Sequence, residues 1–147
     1  MSELFGDFED LDRLIVDLGQ AGPKVEALTR TVVAKTGHDT VAFGQELAPV
    51  DTGNLKSTIG VDIIDDGSGF EAGPTAEYGA DVEYGTKAHV IRPRNKKALF
   101  WPGADHPVAQ VNHPGTAPQP YMRPAFEKAT ADLDDIVAQV GIKALEP

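Results

Sequence analysis

The chain has no cysteine, which excludes disulfides and any metal site built on thiolates. It also has no long apolar run, and nothing approaches the roughly 20 residues that a membrane-spanning helix needs. Cations are scarce: 13 Lys and Arg stand against 23 Asp and Glu, and the resulting charge of −10 opposes non-specific binding to nucleic acid. The opening, MSELFGDFEDLD, is acidic where a secretion signal would be basic, so no targeting peptide is expected. A cysteine-free chain of this kind fits assembly in a reducing cytoplasm. Catalytic signatures are missing as well, with no GxSxG, no GxxxxGK[ST] and no HExxH. Of the four histidines, His106 and His113 are seven apart, each precedes a proline, and neither matches a zinc-ligand spacing. No metal and no cofactor are expected.

What the chain does contain is enough apolar material for one domain of ordinary size. Phe8, Leu11, Leu14, Ile15 and Leu18 recur at helical spacing and predict an N-terminal helical segment over 1–22, ending at the glycines 19 and 22. Pro23 suits the first turn of a second, long helix over 23–48, with Val25, Leu28, Val32, Val33, Val41 and Leu47 as an imperfect stripe. Gly37 and Gly44 weaken that helix, each by about 1 kcal/mol against alanine, and Pro49 ends it.

Residues 57–118 predict sheet and loops. Thr58–Ile64 and Phe70–Gly73 read as a hairpin about the turn DDGSG. TAEYGADVEYG, residues 75–85, suits either a strand or a short helix with Tyr78 and Val82 on one face. A second hairpin is expected, with His89–Arg92 and Ala98–Trp101 flanking the basic turn PRNKK. After it comes a long loop with five prolines between 102 and 120 and at most a short strand near Val108–Val111. A final helix over 121–145 carries the stripe Phe126, Ala129, Leu133, Ile136, Val137, Val140 and Ala144. The fold class is therefore α+β: a small antiparallel sheet with a long helix before it and a C-terminal helix, plus an extended basic hairpin and proline-rich loop.

Charge is unevenly placed. Residues 1–20 hold Glu3, Asp7, Glu9, Asp10, Asp12 and Asp17 against Arg13 alone, whereas residues 84–104 hold Lys87, Arg92, Arg94, Lys96 and Lys97 and no acid. One positive segment on a negative protein suggests contact with another chain, or a solvated hairpin tip.

The tripeptide Asp51-Thr52-Gly53 is the active-site signature of aspartic proteases, in which two such loops must face each other. It occurs once, so a protease would have to be a homodimer. Pro49 interrupts the strand that should precede the loop. The alternative explains more residues: Asp51 caps a helical turn through Leu55, Gly53 permits the turn, and Leu55 and Ile59 enter the core.

Three segments in order, ELAPVDTGNLKSTI, AEYGADVEYGTKAH and PQPYMRPAFEKA, resemble the neck and minor tail-component family of long-tailed bacteriophages. This is the gene-product-ten-like family of lambdoid phages, related to the minor tail protein Z group. The resemblance is carried by Pro49, Val50, Asp51, Thr52, Gly53, Leu55, Ser57 and Ile59, then by Tyr78, Val82, Glu83, Tyr84, Gly85 and Thr86. Pro118, Pro120, Tyr121, Pro124 and Ala125 complete it. Departures are Gly79 where alanine is common, Tyr121 where phenylalanine is, a one-residue shift at Ser57-Thr58-Ile59, and a long 87–118 region.

The resemblance implies a structural virion protein at the head–tail junction, assembled in the host bacterial cytoplasm, with no catalysis. It acts in the neck or in tail completion, through a ring of copies of itself that is six-fold on the tail side. A tail terminator ring capping the tube is the variant within that class. Implied partners are neighbouring connector or stopper proteins and the tail tube or terminator, with DNA close by in the lumen and no membrane. Lys87, Arg92, Arg94, Lys96, Lys97, Trp101 and His113 are the candidate subunit-interface residues. A host-side acidic binding module and the homodimeric protease are the readings from other classes.

Overall fold

The computed structural model describes residues 8–146, with side chains at position 13 and from 15 onward. Glu3, Asp7 and the start of the predicted 1–22 segment lie outside the described residues, as do the side chains of Phe8, Leu11 and Leu14. The expected fold class is present. Helix α1 (Phe8–Leu47) is followed by a single turn α2 (Asn54–Ser57), and β1 (Ile59–Ile64) pairs antiparallel with β2 (Gly69–Pro74). A short helix α3 (Gly79–Tyr84) leads to β3 (His89–Ile91), which pairs with β4 (Val111–His113), and the chain ends in α4 (Met122–Ala129) and α5 (Leu133–Ala144). The strands thus form two separate two-stranded sheets.

Where two helices are predicted, at 1–22 and 23–48, the protein has one, about 60 Å long at 1.5 Å per residue. Pro23 lies inside it. Proline removes one N–H and crowds the carbonyl four residues back, here that of Gly19. Both residues are exposed, so water can take over that carbonyl. The strong signal for a break is overridden because the helix on its C-terminal side is held by packing.

Gly37 and Gly44 prove to be contact points rather than defects. A Cβ on Gly37 would stand 2.9 Å from Val61 Cγ2 and 3.1 Å from the Phe70 ring, and one on Gly44 would stand 2.8 Å from Met122 Sδ. Small residues at these two turns let α1 lie directly against the β1–β2 hairpin and α4. Between them Thr40 is almost fully buried, its hydroxyl donating to the Thr36 carbonyl at 2.8 Å. The core continues as Ala48, Leu55, Ile59 and Tyr121, with Val41, Ala76, Val82 and Met122 packed against it.

The single C-terminal helix expected over 121–145 is broken at residues 130–132. Thr130 turns its hydroxyl back onto the Phe126 carbonyl at 2.8 Å, and the Leu133 N–H is taken by the Thr130 carbonyl at 3.1 Å. Such back-bonding competes with continuation of the helix. Asp134 and Asp135 then sit in the first turn of α5, the end that favours negative charge.

The second hairpin also differs from expectation. His89–Ile91 pairs with Val111–His113, not with Ala98–Trp101, and Leu99 instead bridges Val108. Pro93, lacking an N–H, cannot extend the β3 ladder toward PRNKK. The short strand expected near Val108–Val111 in the proline-rich segment lies at Val111–His113 and supplies the returning strand. With the Thr86–Thr116 bridge at its root, the whole of 86–116 forms one antiparallel arm.

Candidate functional site

The three segments quoted above meet at one junction. At its centre is Glu83 on α3, only 6% exposed. One carboxylate oxygen accepts the N–H groups of Tyr121 and Met122 at 2.8 and 2.9 Å, and the other accepts that of Arg123 at 3.0 Å. These are the N–H groups that a helix leaves without partners at its start. The next residue, Pro124, has no N–H, and the Ala125 N–H closes the first backbone bond of α4 onto the Tyr121 carbonyl at 3.2 Å. Glu83 and Pro124 together therefore leave no unsatisfied donor at the start of α4. Pro118 and Pro120 stiffen the approach, which is pinned where the Gln119 N–H donates to the Val82 carbonyl at 2.8 Å.

Tyr121, 1% exposed, fills the space between α3 and the DTG connector and donates its hydroxyl to the Gly79 carbonyl at 3.1 Å. Burial raises the pKa of that phenol above its usual 10.0, and the Glu83 charge and Tyr78 add to the effect. Gly85, with φ of 71°, ends α3, and a Cβ there would stand 2.5 Å from the Thr116 carbonyl oxygen at the root of the arm.

Asp51 does not cap a helix. The residue before α2 is Gly53, in the left-handed conformation at φ 83°, and no side chain caps α2. The nearest substitute is the Thr52 hydroxyl, which accepts from the Asn54 N–H at a long 3.4 Å. A left-handed glycine already turns the chain, so Asp51 is left exposed with a free carboxylate among the described residues. Leu55 enters the core as expected. The open choice at 75–85 resolves as helix: Val82 faces inward, and Tyr78 accepts from Asn54 Nδ2 at 3.0 Å. Tyr84 is 76% exposed and belongs to the surface.

The connector, α3 and the arm root enclose a cleft of about 500 Å³. Its lining includes Asp51 and Asp81 and, among the described residues, no cationic side chain, with Pro49, Val50 and Val82 as apolar wall.

Lys87, Arg92, Arg94, Lys96 and Lys97 are all exposed along the arm, and none forms an ion pair among the described residues. Arg92 only touches the Gln110 side chain, at 3.4 Å. Trp101 is 45% exposed beside Phe100 at 67%. His113 is half-buried in β4, opposite His89, with ring centroids 5.1 Å apart and planes inclined at 31°. Its Nδ1 accepts the Gly115 N–H at 3.1 Å, while His89 Nδ1 contacts the Lys87 carbonyl at 2.8 Å. No group of three or more metal-ligating side chains occurs among the described residues. The interface candidates thus share one arm, while the motif residues share the junction at its root.

Sequence reasoning missed what Glu83 does, because its partners lie 38 to 40 residues away. The available signal was a proline in the first turn of a helix that begins without a Ser, Thr, Asp or Asn cap. The part of Tyr121 was missed for the same reason. No protein-family model matches the chain, and neither a curated protein nor a solved structure shows significant similarity to it.

Proposed function

We propose that this chain is a structural component of a long-tailed phage virion, acting at the head–tail junction or in tail completion by assembling into a ring of its own copies. The observation that supports this reading best is the arm. It carries five cations with no partner carboxylate among the described residues, on a chain whose net charge is −10. Exposed Phe100 and Trp101 lie beside them. Surfaces of this kind suit a neighbouring acidic subunit better than solvent alone, and a head-to-tail contact repeated around an axis closes into a ring.

The resemblance to the neck and minor tail-component family supplies the biological setting, and six copies is the stoichiometry it suggests. Within that class, a neck component and a tail terminator make the same demand on the arm. The reading includes no catalytic step. The DTG segment follows one helix and opens another, whereas a protease loop follows a strand. No helix of the described residues is long and apolar enough to cross a membrane, and the reading needs none.

Mass photometry and negative-stain imaging of the purified protein test the proposal. Closed rings that disperse when Arg92, Arg94, Lys96 and Lys97 are all changed to Glu are expected. A protein that stays monomeric at its highest soluble concentration would refute ring assembly.

A further inference from the structure

We infer that the cleft under the DTG segment is the socket for the basic arm of a second copy of this chain. The inference rests on the ring-assembly reading and names the surface through which copies meet. Charge complementarity carries it. Among the described residues the cleft presents Asp51 and Asp81 with no cation in its lining, and the 86–116 arm presents five cations against one acid, Asp105. Apolar complementarity runs in parallel, since Pro49, Val50 and Val82 form a wall and the arm exposes Phe100 and Trp101. Guanidinium and carboxylate groups form short bidentate pairs, and Arg92 and Arg94 of the arm and Asp51 and Asp81 of the cleft supply the two halves.

The arm of the same chain cannot serve. Its root, the Thr86–Thr116 bridge, is itself part of the cleft wall. From there the β3–β4 ladder and the Leu99–Val108 bridge lead the chain outward, over as much as about 45 Å of contour. Folding the tip back onto its root would break that ladder. Arm-into-cleft contact is therefore head-to-tail, using one surface to give and a different one to receive, as a closed ring requires. Two other acceptors are less suited. Of the α1 acids with described side chains, Glu26, Asp39 and Glu46 already pair with Arg30, Lys35 and Lys128, and nucleic acid would bring its phosphates against a chain of charge −10.

The test compares four proteins by analytical ultracentrifugation, each checked for folding by circular dichroism. They are wild type, an arm variant (Arg94→Glu, Lys96→Glu, Lys97→Glu), a cleft variant (Asp51→Lys, Asp81→Lys) and an α1 variant (Asp12→Lys, Asp17→Lys). Wild type and the α1 variant should assemble, and the arm and cleft variants should each be monomeric. An equimolar mixture of those two should assemble again, because each reversed arm then meets a reversed cleft. Raising salt to about 0.5 M should shift the wild type toward monomer, since exposed charges beyond a few ångström are then screened. If the cleft variant loses its fold, Asp51→Asn with Asp81→Asn makes the same comparison without added bulk.

Assembly of wild type and cleft variant alike, with loss in the arm variant, overturns the socket and leaves the ring reading standing. Loss in the α1 variant with retention in the cleft variant does the same and moves the acceptor to α1. An arm variant that still assembles but no longer binds duplex DNA, which the wild type retains, shows the arm to be a nucleic-acid contact and overturns the socket. A monomeric wild type overturns both readings.

Discussion

Replacing Glu83 tests the junction most directly. Alanine at this position removes all three acceptor contacts to the start of α4. Loss of a helix cap costs about 1–2 kcal/mol. Leaving buried donors without a partner costs about 1–3 kcal/mol more, and the Tyr121 N–H is the donor that water reaches least. The sum for Glu83→Ala is roughly 2–5 kcal/mol. At about 2–4 °C per kcal/mol for a chain of this size, the melting temperature should fall by roughly 4–20 °C. Glu83→Gln should cost less, about 1–2 kcal/mol, because its one carbonyl oxygen can still accept from Tyr121 and Met122 while its amide faces the Arg123 N–H. Thermal and urea unfolding followed by circular dichroism give both numbers. Hydrogen exchange at residues 121–123 gives the location, since those amides should lose protection in the alanine variant. An alanine variant within about 0.5 kcal/mol of wild type would show that the carboxylate does not hold α4, and the reasoning would fail.

Other expectations can be checked on the same instruments. Asp51→Ala should change stability by less than about 0.5 kcal/mol, because the carboxylate caps nothing; a loss near 1 kcal/mol would restore the capping role. Tyr121 has a folded-state pKa above its unfolded value, so its contribution is fully present below about pH 10 and is lost as pH rises through the folded value. Tyr121→Phe should therefore lose about 1 kcal/mol at pH 7, with the Gly79 contact gone, yet decline less steeply than wild type between pH 9 and 11. Parallel melting curves across that range would contradict the buried phenol. Gly37→Ala should destabilise by about 1–3 kcal/mol, because its Cβ meets Val61 and Phe70. Gly19→Ala, with nothing within 4 Å, should stabilise by about 0.5–1 kcal/mol, and the same sign for both would refute the close-approach account.

Elements with strong local patterns were legible in the sequence. The Ile59–Pro74 hairpin, the end of α1 before Pro49 and the inward turn of Leu55 and Ile59 follow from alternation, proline chemistry and spacing. What was not legible depends on partners distant in the chain. Pro23 reads as a helix start until the packing beyond it is known. Gly37 and Gly44 read as weak points until Val61, Phe70 and Met122 are brought against them. PRNKK reads as the turn of a hairpin, yet Ile91 pairs with Val111 across 19 intervening residues. Glu83 shows the difficulty most plainly: an acid among other acids reads as surface charge, and only tertiary structure converts it into an internal cap.

The fates of the acids in these segments separate support from display. Glu83 is consumed by three backbone donors, so its charge is spent inside the fold. Asp51 and Asp81 lie on the connector and helix that the same junction positions, and both face an open cleft. If DTG served only to turn the chain, Gly53 would suffice, since its left-handed conformation makes the bend without help from the carboxylate. An aspartate that neither caps nor pairs internally is free to meet a cation from outside. The cations that lack carboxylate partners among the described residues lie on the arm that starts at the same Thr86–Thr116 bridge. If copies assemble as proposed, the junction holds the cleft and the root of the arm together, which is what adding copies at a constant angle requires.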